Sequence, residues 1–190
     1  MNDSIPSGGR RLRPLHAFLI LCLILVLIST GAIWVARAQA AERIAAAVGR
    51  AVPEIEVESL ADGLTSTRSL EGKVTILRFV RTSCGRCKAE HSTVEALALA
   101  LDPDRERIVS VLVDPLMGGS RVKDRSGLDP QQFAHEAWWG NAALLNAFHG
   151  ARWARITPLS YVINAQGKVV SYLRGSQTLN TYQSALSAAR

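Results

Sequence analysis

Two cysteines separated by two residues are the side chains in this sequence best suited to carry out chemistry. Cys84 and Cys87 follow an apolar run that ends at Val80, and they precede a run with helical periodicity. A thiol at the start of a helix lies near unpaired backbone N–H groups and the positive end of the helix dipole, which favour the thiolate. The second thiol is close enough to form a disulfide, so the pair could carry out reversible thiol–disulfide exchange.

The two cysteines are expected to have different roles. Cys84 lies at the strand–helix junction, the more exposed position, and is predicted to be the nucleophile, with Arg86 and Arg81 favouring its thiolate further. Cys87, one turn into the helix, is predicted to be the resolving thiol that releases a mixed disulfide. The alternative is a structural disulfide or two packed thiols. The sequence has three cysteines and only this pair lies outside an N-terminal apolar block, so a framework of structural disulfides is not expected.

Two polar residues follow the cysteines on the same predicted helix. Glu90 lies three residues after Cys87 and, if partly buried, could exchange a proton with that thiol. The alternative role of Glu90 is that of a first-turn carboxylate that favours the helix dipole. His91 could join both cysteines in binding a soft metal such as Cu(I) or Zn. An exposed helix histidine is the simpler interpretation, so no metal or other cofactor is predicted.

The N-terminal part of the sequence predicts a membrane segment. Residues 15–35 contain no Asp, Glu, Lys or Arg, and these 21 residues are long enough to cross a bilayer as a helix. Arginines at positions 10, 11 and 13 come just before, which predicts a cytoplasmic N-terminus and an exported C-terminal domain. A cleaved signal peptide is the alternative, because residues 36–40 offer the small residues that a signal peptidase requires. The length of the apolar run favours a retained anchor.

Charge and composition indicate how the chain is divided into segments and which partners are expected. The net charge is +6 over 190 residues, but the basic residues are scattered without a basic patch that includes aromatics, so no nucleic-acid partner is predicted. We expect a cytoplasmic tail over residues 1–14, a transmembrane signal anchor over 15–35, an Ala-rich stalk over 36–51 and one domain over 52–190. The lipid bilayer is therefore an expected partner of residues 15–35.

Strand and helix patterns alternate along the predicted domain. Helices are expected from Cys87 to Leu101, from Asp129 to about Trp139, and over 142–148 and 178–189. Strands are expected over 55–58, 74–80, 108–113, 159–163 and 168–173, the last two joined by a turn at 164–167. Such an order is typical of an α/β fold with a mixed sheet. His135 and His149 are interpreted as packing or surface residues, and the Trp138–Trp139 pair as part of a buried helix.

Four segments match a known family in order. They are the opening segment with Pro53 and residues 62–63 and 70–73, the cysteine segment 84–90, Thr157–Pro158 with the strand after it, and residues 164–167 with the final helix. Together they resemble the thioredoxin superfamily and, within it, the membrane-anchored TlpA/ResA-like thiol–disulfide oxidoreductases. The resemblance covers the whole exported domain and implies a thioredoxin-like mixed sheet flanked by helices, preceded here by the transmembrane helix.

The resemblance also implies roles and partners. Pro158 would follow a cis peptide bond, with Thr157 facing the cysteines, and these two residues would bind an extended substrate segment. Glu90 lies where similar proteins have a functional glutamate. The family suggests protein thiols and disulfides as substrates, such as apocytochrome c or copper-site proteins, with electrons from a membrane thiol donor. The expected location is the bacterial inner membrane, with the domain on the periplasmic side.

The sequence departs from the family at four positions. Ser83 stands where tryptophan is common, Arg86 replaces the proline between the cysteines, and Arg78 lies where related proteins often have Asp or Asn. These three departures affect the redox potential and the substrate surface, while Ser92, in place of a helix-kinking proline, affects helix geometry. A thioredoxin-fold copper metallochaperone is the alternative function. Copper-chaperone relatives space their cysteines by three residues and add a distal histidine, a pattern that this sequence lacks.

Overall fold

The chain divides into two units in the computed structural model, which describes residues 14–117 and 133–190. The first unit comprises residues 1–39 and the second residues 40–190. Helix α1 (Pro14–Ala45) is long and apolar enough to cross a membrane, with a hydropathy of 2.8 in its most apolar window. The predicted N-terminal apolar helix is thus confirmed. Because a signal sequence can have the same length and composition, retention of this helix as an anchor stays a prediction.

The second unit contains seven strands and four helices among the described residues. The strands are β1 (Glu56–Ser59), β2 (Gly63–Ser66), β3 (Val74–Val80), β4 (Glu106–Leu112), β5 (Glu136–Trp139), β6 (Leu159–Ile163) and β7 (Val169–Arg174). The helices are α2 (Gly85–Ala89), α3 (His91–Ala100), α4 (Ala142–Phe148) and α5 (Leu179–Ala188).

All seven strands form one mixed sheet in the order β2-β1-β5-β4-β3-β6-β7. Strands β3, β4 and β5 run parallel, and β6 is antiparallel to both β3 and β7. Strand β1 is antiparallel to β5 and β2. The predicted α/β fold with a mixed sheet is therefore confirmed. The parallel centre brings the carboxyl ends of β3 and β4 to the same edge of the sheet, where the cysteine segment begins.

Strand β3 is the centre of the core because every one of its residues is buried. Successive side chains of a strand point to opposite faces of the sheet, so β3 contributes to two cores. Leu77 and Phe79 pack in the larger apolar cluster, together with Trp138, and Ile76 packs in a second cluster that includes Tyr182 of α5. The apolar run 74–80, which predicted a strand covered on both faces, is thus the central buried strand from which the cysteine segment continues.

The helix predicted from Asp129 to about Trp139 is wrong over its described part. Residues 136–139 form β5, in which Trp138 is the register partner of Val111 in β4. Trp138 is fully buried in the larger cluster, as expected for an aromatic residue on the inner face of a strand. The start of that prediction, residues 129–132, lies outside the described residues.

The helix predicted from Cys87 to Leu101 is divided at Glu90. Helix α2 ends at Ala89 and α3 begins at His91, although no proline interrupts the segment. The Glu90 backbone N–H donates to the carbonyl oxygens of Arg86 and Lys88. The interruption places the Glu90 side chain in the protein interior, at 3% residue exposure, and not on the solvent side of the helix.

Candidate active site

The cysteine pair lies where β3 passes into α2. Cys84 is the N-cap residue of α2 in an extended conformation, and its Sγ accepts a hydrogen bond of 3.2 Å from the Cys87 backbone N–H. The two residues form a disulfide, with their Cα atoms 5.2 Å apart. In the reduced state, the same backbone donor would stabilise a negative charge on the Cys84 sulfur. The local backbone is therefore suited to a thiolate at Cys84.

The two sulfur-bearing residues differ in exposure. Cys84 is 6% exposed, whereas Cys87 is fully buried among Val80 and Leu112. An approaching sulfur atom of another protein would therefore reach Cys84 first. Attack on Cys87 would require displacement of the packed side chains around it.

The peptide bond between Thr157 and Pro158 is cis, as the resemblance implied. The structure brings the Thr157 carbonyl oxygen to 3.7 Å from Cys84 Sγ, although 73 residues separate them. Arg81 Nε donates a hydrogen bond of 3.2 Å to Thr157 Oγ1, and the Gly175 N–H donates to the Pro158 carbonyl at 2.9 Å. The loop that carries Thr157 is thus held against both the cysteine segment and the end of β7.

Asp114 is a site residue that the sequence reasoning missed. It follows β4 and is 8% exposed, and its Oδ1 accepts a hydrogen bond of 2.7 Å from the Thr82 hydroxyl. The Thr82 backbone N–H lies 3.1 Å from both Asp114 carboxylate oxygens. Asp114 therefore fixes the loop that precedes Cys84. An acidic residue directly after an apolar strand parallel to β3 was the available signal, because parallel strands end at the same sheet edge.

A buried ion pair lies beneath Cys87. Arg78 Nη2 and Glu90 Oε2 are 2.6 Å apart, and both side chains have 0% exposure. The other Glu90 oxygen, Oε1, accepts hydrogen bonds from the Gln177 N–H at 2.6 Å and from the Tyr182 hydroxyl at 2.9 Å. Burial raises the pKa of Tyr182 to about 12, so this hydroxyl keeps its proton and donates. Glu90 therefore joins the α2–α3 junction to the start of α5.

Arg78 itself has an unusual environment for a charged group. Its Nη2 donates a long hydrogen bond, 3.5 Å, to the carbonyl oxygen of Cys87. Its Nε and Nη1 have no hydrogen-bond partner within the described part of the chain. The departure noted in the sequence thus puts a guanidinium ion, in place of a carboxyl or amide group, directly under the helix that carries Cys87.

The histidines are arranged around Glu95 and not around the cysteines. His135 Nδ1 and His91 Nδ1 lie 3.1 and 3.7 Å from Glu95 Oε1, and His135 Nε2 lies 2.8 Å from Ser110 Oγ. Burial, with Arg78 and His91 nearby, lowers the pKa of His135 to about 3. In the ranges 14–117 and 133–190, no group of three or more His, Cys, Asp or Glu side chains is arranged to hold a metal ion. The alternative of a metal site at Cys84, Cys87 and His91 gains no support there.

Solved structures with the same fold identify the architecture. The chain superposes on a thioredoxin-family thiol:disulfide interchange protein from Chlorobium tepidum (TM-score 0.56, 19% identity, covering 73% of this chain and 94% of that one). It also superposes on an exposed lipoprotein thioredoxin, Etrx1, from Streptococcus pneumoniae (TM-score 0.58, 18% identity, 72% and 99%). StoA from Bacillus subtilis is a third (TM-score 0.55, 17% identity, 70% and 96%). The fold is therefore thioredoxin-like, as the sequence predicted.

Sequence comparison adds no closer relationship. Neither the protein-family models nor the curated proteins compared with this sequence gave a match. At identities below 20%, the structural similarity establishes the fold, and the function must be argued from the site itself.

Proposed function

We propose that this protein is a thiol–disulfide oxidoreductase that exchanges disulfides with the cysteines of other proteins through Cys84 and Cys87. One observation carries the proposal: the Cys84 sulfur receives a backbone hydrogen bond at the start of α2 and lies 3.7 Å from the carbonyl oxygen that precedes a cis-proline. That arrangement combines a stabilised sulfur with a backbone segment that can hold a substrate chain beside it.

The proposed reaction proceeds in two exchange steps. When the protein acts as reductant, the Cys84 thiolate attacks one sulfur of a partner disulfide, forming a mixed disulfide and releasing the other partner sulfur as a thiolate. The Cys87 thiolate then attacks Cys84 Sγ, which forms the intramolecular disulfide and releases the second partner thiolate. Two electrons pass to the partner. The same steps in reverse oxidise a partner dithiol.

Thr157 and Pro158 are proposed to bind the substrate segment around the partner cysteine. The backbone of Thr157 would pair with this segment in an extended conformation, in the manner of an added strand. The contact from Arg81 to Thr157 Oγ1 supports this role because it fixes the loop beside Cys84 before a partner arrives.

Glu90 is proposed to act beneath Cys87, and its contacts favour a role that differs from both of the roles predicted from the sequence. Both oxygens of the Glu90 carboxylate are already engaged, Oε2 with Arg78 and Oε1 with Tyr182 and the Gln177 N–H. We therefore propose that Glu90 positions Arg78 and the start of α3 beneath Cys87. Proton exchange with Cys87 stays the competing prediction. A Glu90→Gln variant distinguishes them, because loss of a proton carrier changes the pH profile of exchange, whereas loss of a positioning group lowers the rate at every pH.

The cellular setting is also a proposal. We propose that α1 is retained as a single-pass anchor in a bacterial inner membrane, with the N-terminus in the cytoplasm and residues 52–190 on the periplasmic side. The apolar helix and the preceding arginines support this topology. A tether would raise the local concentration of the domain near a membrane thiol electron donor and near exported clients. Apocytochrome c and copper-site proteins are the client classes proposed.

Exchange by the purified full chain in detergent micelles tests the enzymatic proposal. We expect the reduced protein to reduce a disulfide-bonded peptide and to be oxidised by one equivalent of disulfide. A Cys84→Ser variant should lose this activity, whereas Cys22→Ser, the matched control in α1, should keep it. Equal exchange by wild type and Cys84→Ser would refute the proposed reaction.

A further inference from the structure

Four arginines lie on the segments that meet at the disulfide, although the domain as a whole is nearly neutral. Residues 52–190 contain 16 Lys and Arg against 14 Asp and Glu. The sequence nevertheless places arginines on four segments that meet at the cysteines. We define the arginine rim as Arg81, Arg86, Arg155 and Arg174. Basic charge is therefore concentrated locally at the proposed site of exchange.

Contacts between these segments show that the rim residues lie on neighbouring parts of the chain around the cysteines. Arg81 precedes Cys84 and donates to Thr157 Oγ1 at 3.2 Å, and Arg155 is two residues before Thr157. Arg174 is the register partner of Leu159, the residue after the cis-proline. The next turn also approaches α2, because the Ser176 hydroxyl donates to the carbonyl oxygen of Arg86 at 3.4 Å.

The rim charges are accessible and are not neutralised by the described part of the protein. Arg86, Arg155 and Arg174 are exposed, and Arg81 is half-buried. The arginine ion pairs found in residues 14–117 and 133–190 involve arginines 68, 78, 107 and 190, none of which belongs to the rim. Glu90 and Asp114, two described carboxylates that contact the elements carrying the cysteines, are buried and hydrogen-bonded to other groups. The rim thus adds exposed positive charge to the segments that border the cysteines.

From this arrangement we infer that the partner segment is acidic, with Asp or Glu residues flanking the cysteine that exchanges with Cys84. The inference rests on the proposed function and names its substrate class. A single exposed ion pair contributes little affinity, but several like charges around one site accelerate encounter with an oppositely charged chain. The mixed disulfide is transient, so fast turnover depends on how often a partner meets Cys84. The arginine rim is therefore expected to raise the rate of encounter with an acidic partner. A positively charged flanking segment would be disfavoured by the same charges.

Two peptides of identical length test the inference. Each carries one intramolecular disulfide, and four flanking positions are Asp and Glu in one peptide and Lys and Arg in the other. The probe reaction is reduction of each peptide by the reduced full-length protein in neutral detergent. We expect the acidic peptide to react about threefold to tenfold faster at low ionic strength, and the preference to shrink in about 0.5 M salt, where the Debye length is only a few ångströms.

Charge-removing variants connect the preference to the rim. Arg155→Gln and Arg174→Gln together should reduce the preference for the acidic peptide while leaving reduction of an uncharged small disulfide unchanged. Arg105→Gln is the matched control, because Arg105 is exposed and lies just before β4, at the opposite end of that strand from the cysteines. The control should keep the full preference.

The outcomes separate this inference from the proposed function. Equal rates for the two peptides, with both reduced, would overturn the inference and leave the oxidoreductase intact. No reduction of either peptide would overturn both. Reduction rates that do not depend on peptide charge, but change when the protein is reconstituted in anionic instead of neutral lipid vesicles, would also overturn the inference. That result would assign the arginines to the membrane surface.

Discussion

The two faces of β3 show how one strand serves stability on one side and reactivity on the other. On one face, the Phe79 ring packs against Phe148, His149 and Tyr161, with centroid distances of 5.4, 4.9 and 5.9 Å. On the opposite face, the next residue toward the N-terminus is Arg78, whose charge is paired with Glu90 beneath Cys87. The first face is an aromatic core, and the second is a charged support beneath Cys87.

The difference indicates where substitutions should change stability alone and where they should also change exchange. The aromatic face contains few polar groups, and His149 and the Tyr161 hydroxyl have no hydrogen-bond partner among the described residues. The charged face instead gives Glu90 three hydrogen-bond donors. Loss of packing on the aromatic face should lower the free energy of unfolding of the whole domain. Loss of charge on the other face should also change thiol–disulfide exchange at Cys87.

Arg78→Met should have the largest effect, because it leaves the buried Glu90 carboxylate without its counter-ion. We expect destabilisation of about 3–5 kcal/mol, together with a change in the redox potential of the cysteine pair. Denaturant unfolding and equilibration with glutathione measure the two effects. The double variant with Glu90→Gln should recover much of the stability but not the potential. An unchanged potential in both variants would show that the ion pair is only structural.

Phe79→Ala tests the opposite face of the same strand. Removal of a fully buried aromatic ring with three aromatic neighbours should cost about 3–5 kcal/mol. The exchange rate of the protein that remains folded should stay unchanged. Phe79→Leu should reduce the free energy of unfolding by less than Phe79→Ala. Unfolding curves and peptide reduction at low denaturant make the comparison. A redox potential shifted by Phe79→Ala as much as by Arg78→Met would contradict the division between the two faces.

His149 makes the aromatic face sensitive to acid. Burial lowers its pKa from 6.5 to about 4, so between these values the unfolded chain binds a proton that the folded protein does not. Stability should therefore fall as the pH decreases from about 6.5 to 4, by about 3 kcal/mol for this residue. His149→Leu should flatten this part of the stability–pH curve. His135 on the charged face also titrates low, so the variant should remove only part of the slope.

Asp114→Asn should have the smallest of these effects. The amide keeps one acceptor for Thr82 but loses the negative charge, so a stability loss of about 1–2 kcal/mol is expected. Because this loop immediately precedes Cys84, the rate of peptide reduction should fall several-fold. Thr82→Val, which removes the hydroxyl donor but keeps the backbone donor, is the matched control and should have a smaller effect on the rate.

The sequence predicted those parts of the fold that depend on local patterns. Strand β3 was bounded correctly because it is a continuous apolar run between a turn and the cysteine segment, and α4 because Asn141 caps an apolar helix. Strand β5 was predicted as a helix, since an Asp–Pro start and two tryptophans fit a helix as well as a strand. Only its pairing with β4 distinguishes the two.

The site was predicted where one segment contains the chemistry and missed where distant segments supply it. Cys84 and Cys87 were evident from their spacing. Tyr182 is 92 residues from Glu90, and no local sequence signal indicates this contact. Asp114 is 32 residues from Thr82, and its position after an apolar strand was the only signal for it. The division of the predicted helix at Glu90 was also missed, because no proline marks it and the contact of Glu90 with Arg78 joins elements that are separate in the sequence.

Trapping of mixed disulfides in cells tests the central claim most directly. In a Cys22→Ser background, Cys87→Ser leaves Cys84 able to attack a partner but removes the thiol that releases it. We predict that this variant accumulates covalent adducts with exported proteins, which dissociate on reduction, and that Cys84→Ser accumulates none. Adducts of equal abundance in both variants, or no adducts in the Cys87→Ser variant, would contradict the assignment of Cys84 as the attacking thiol.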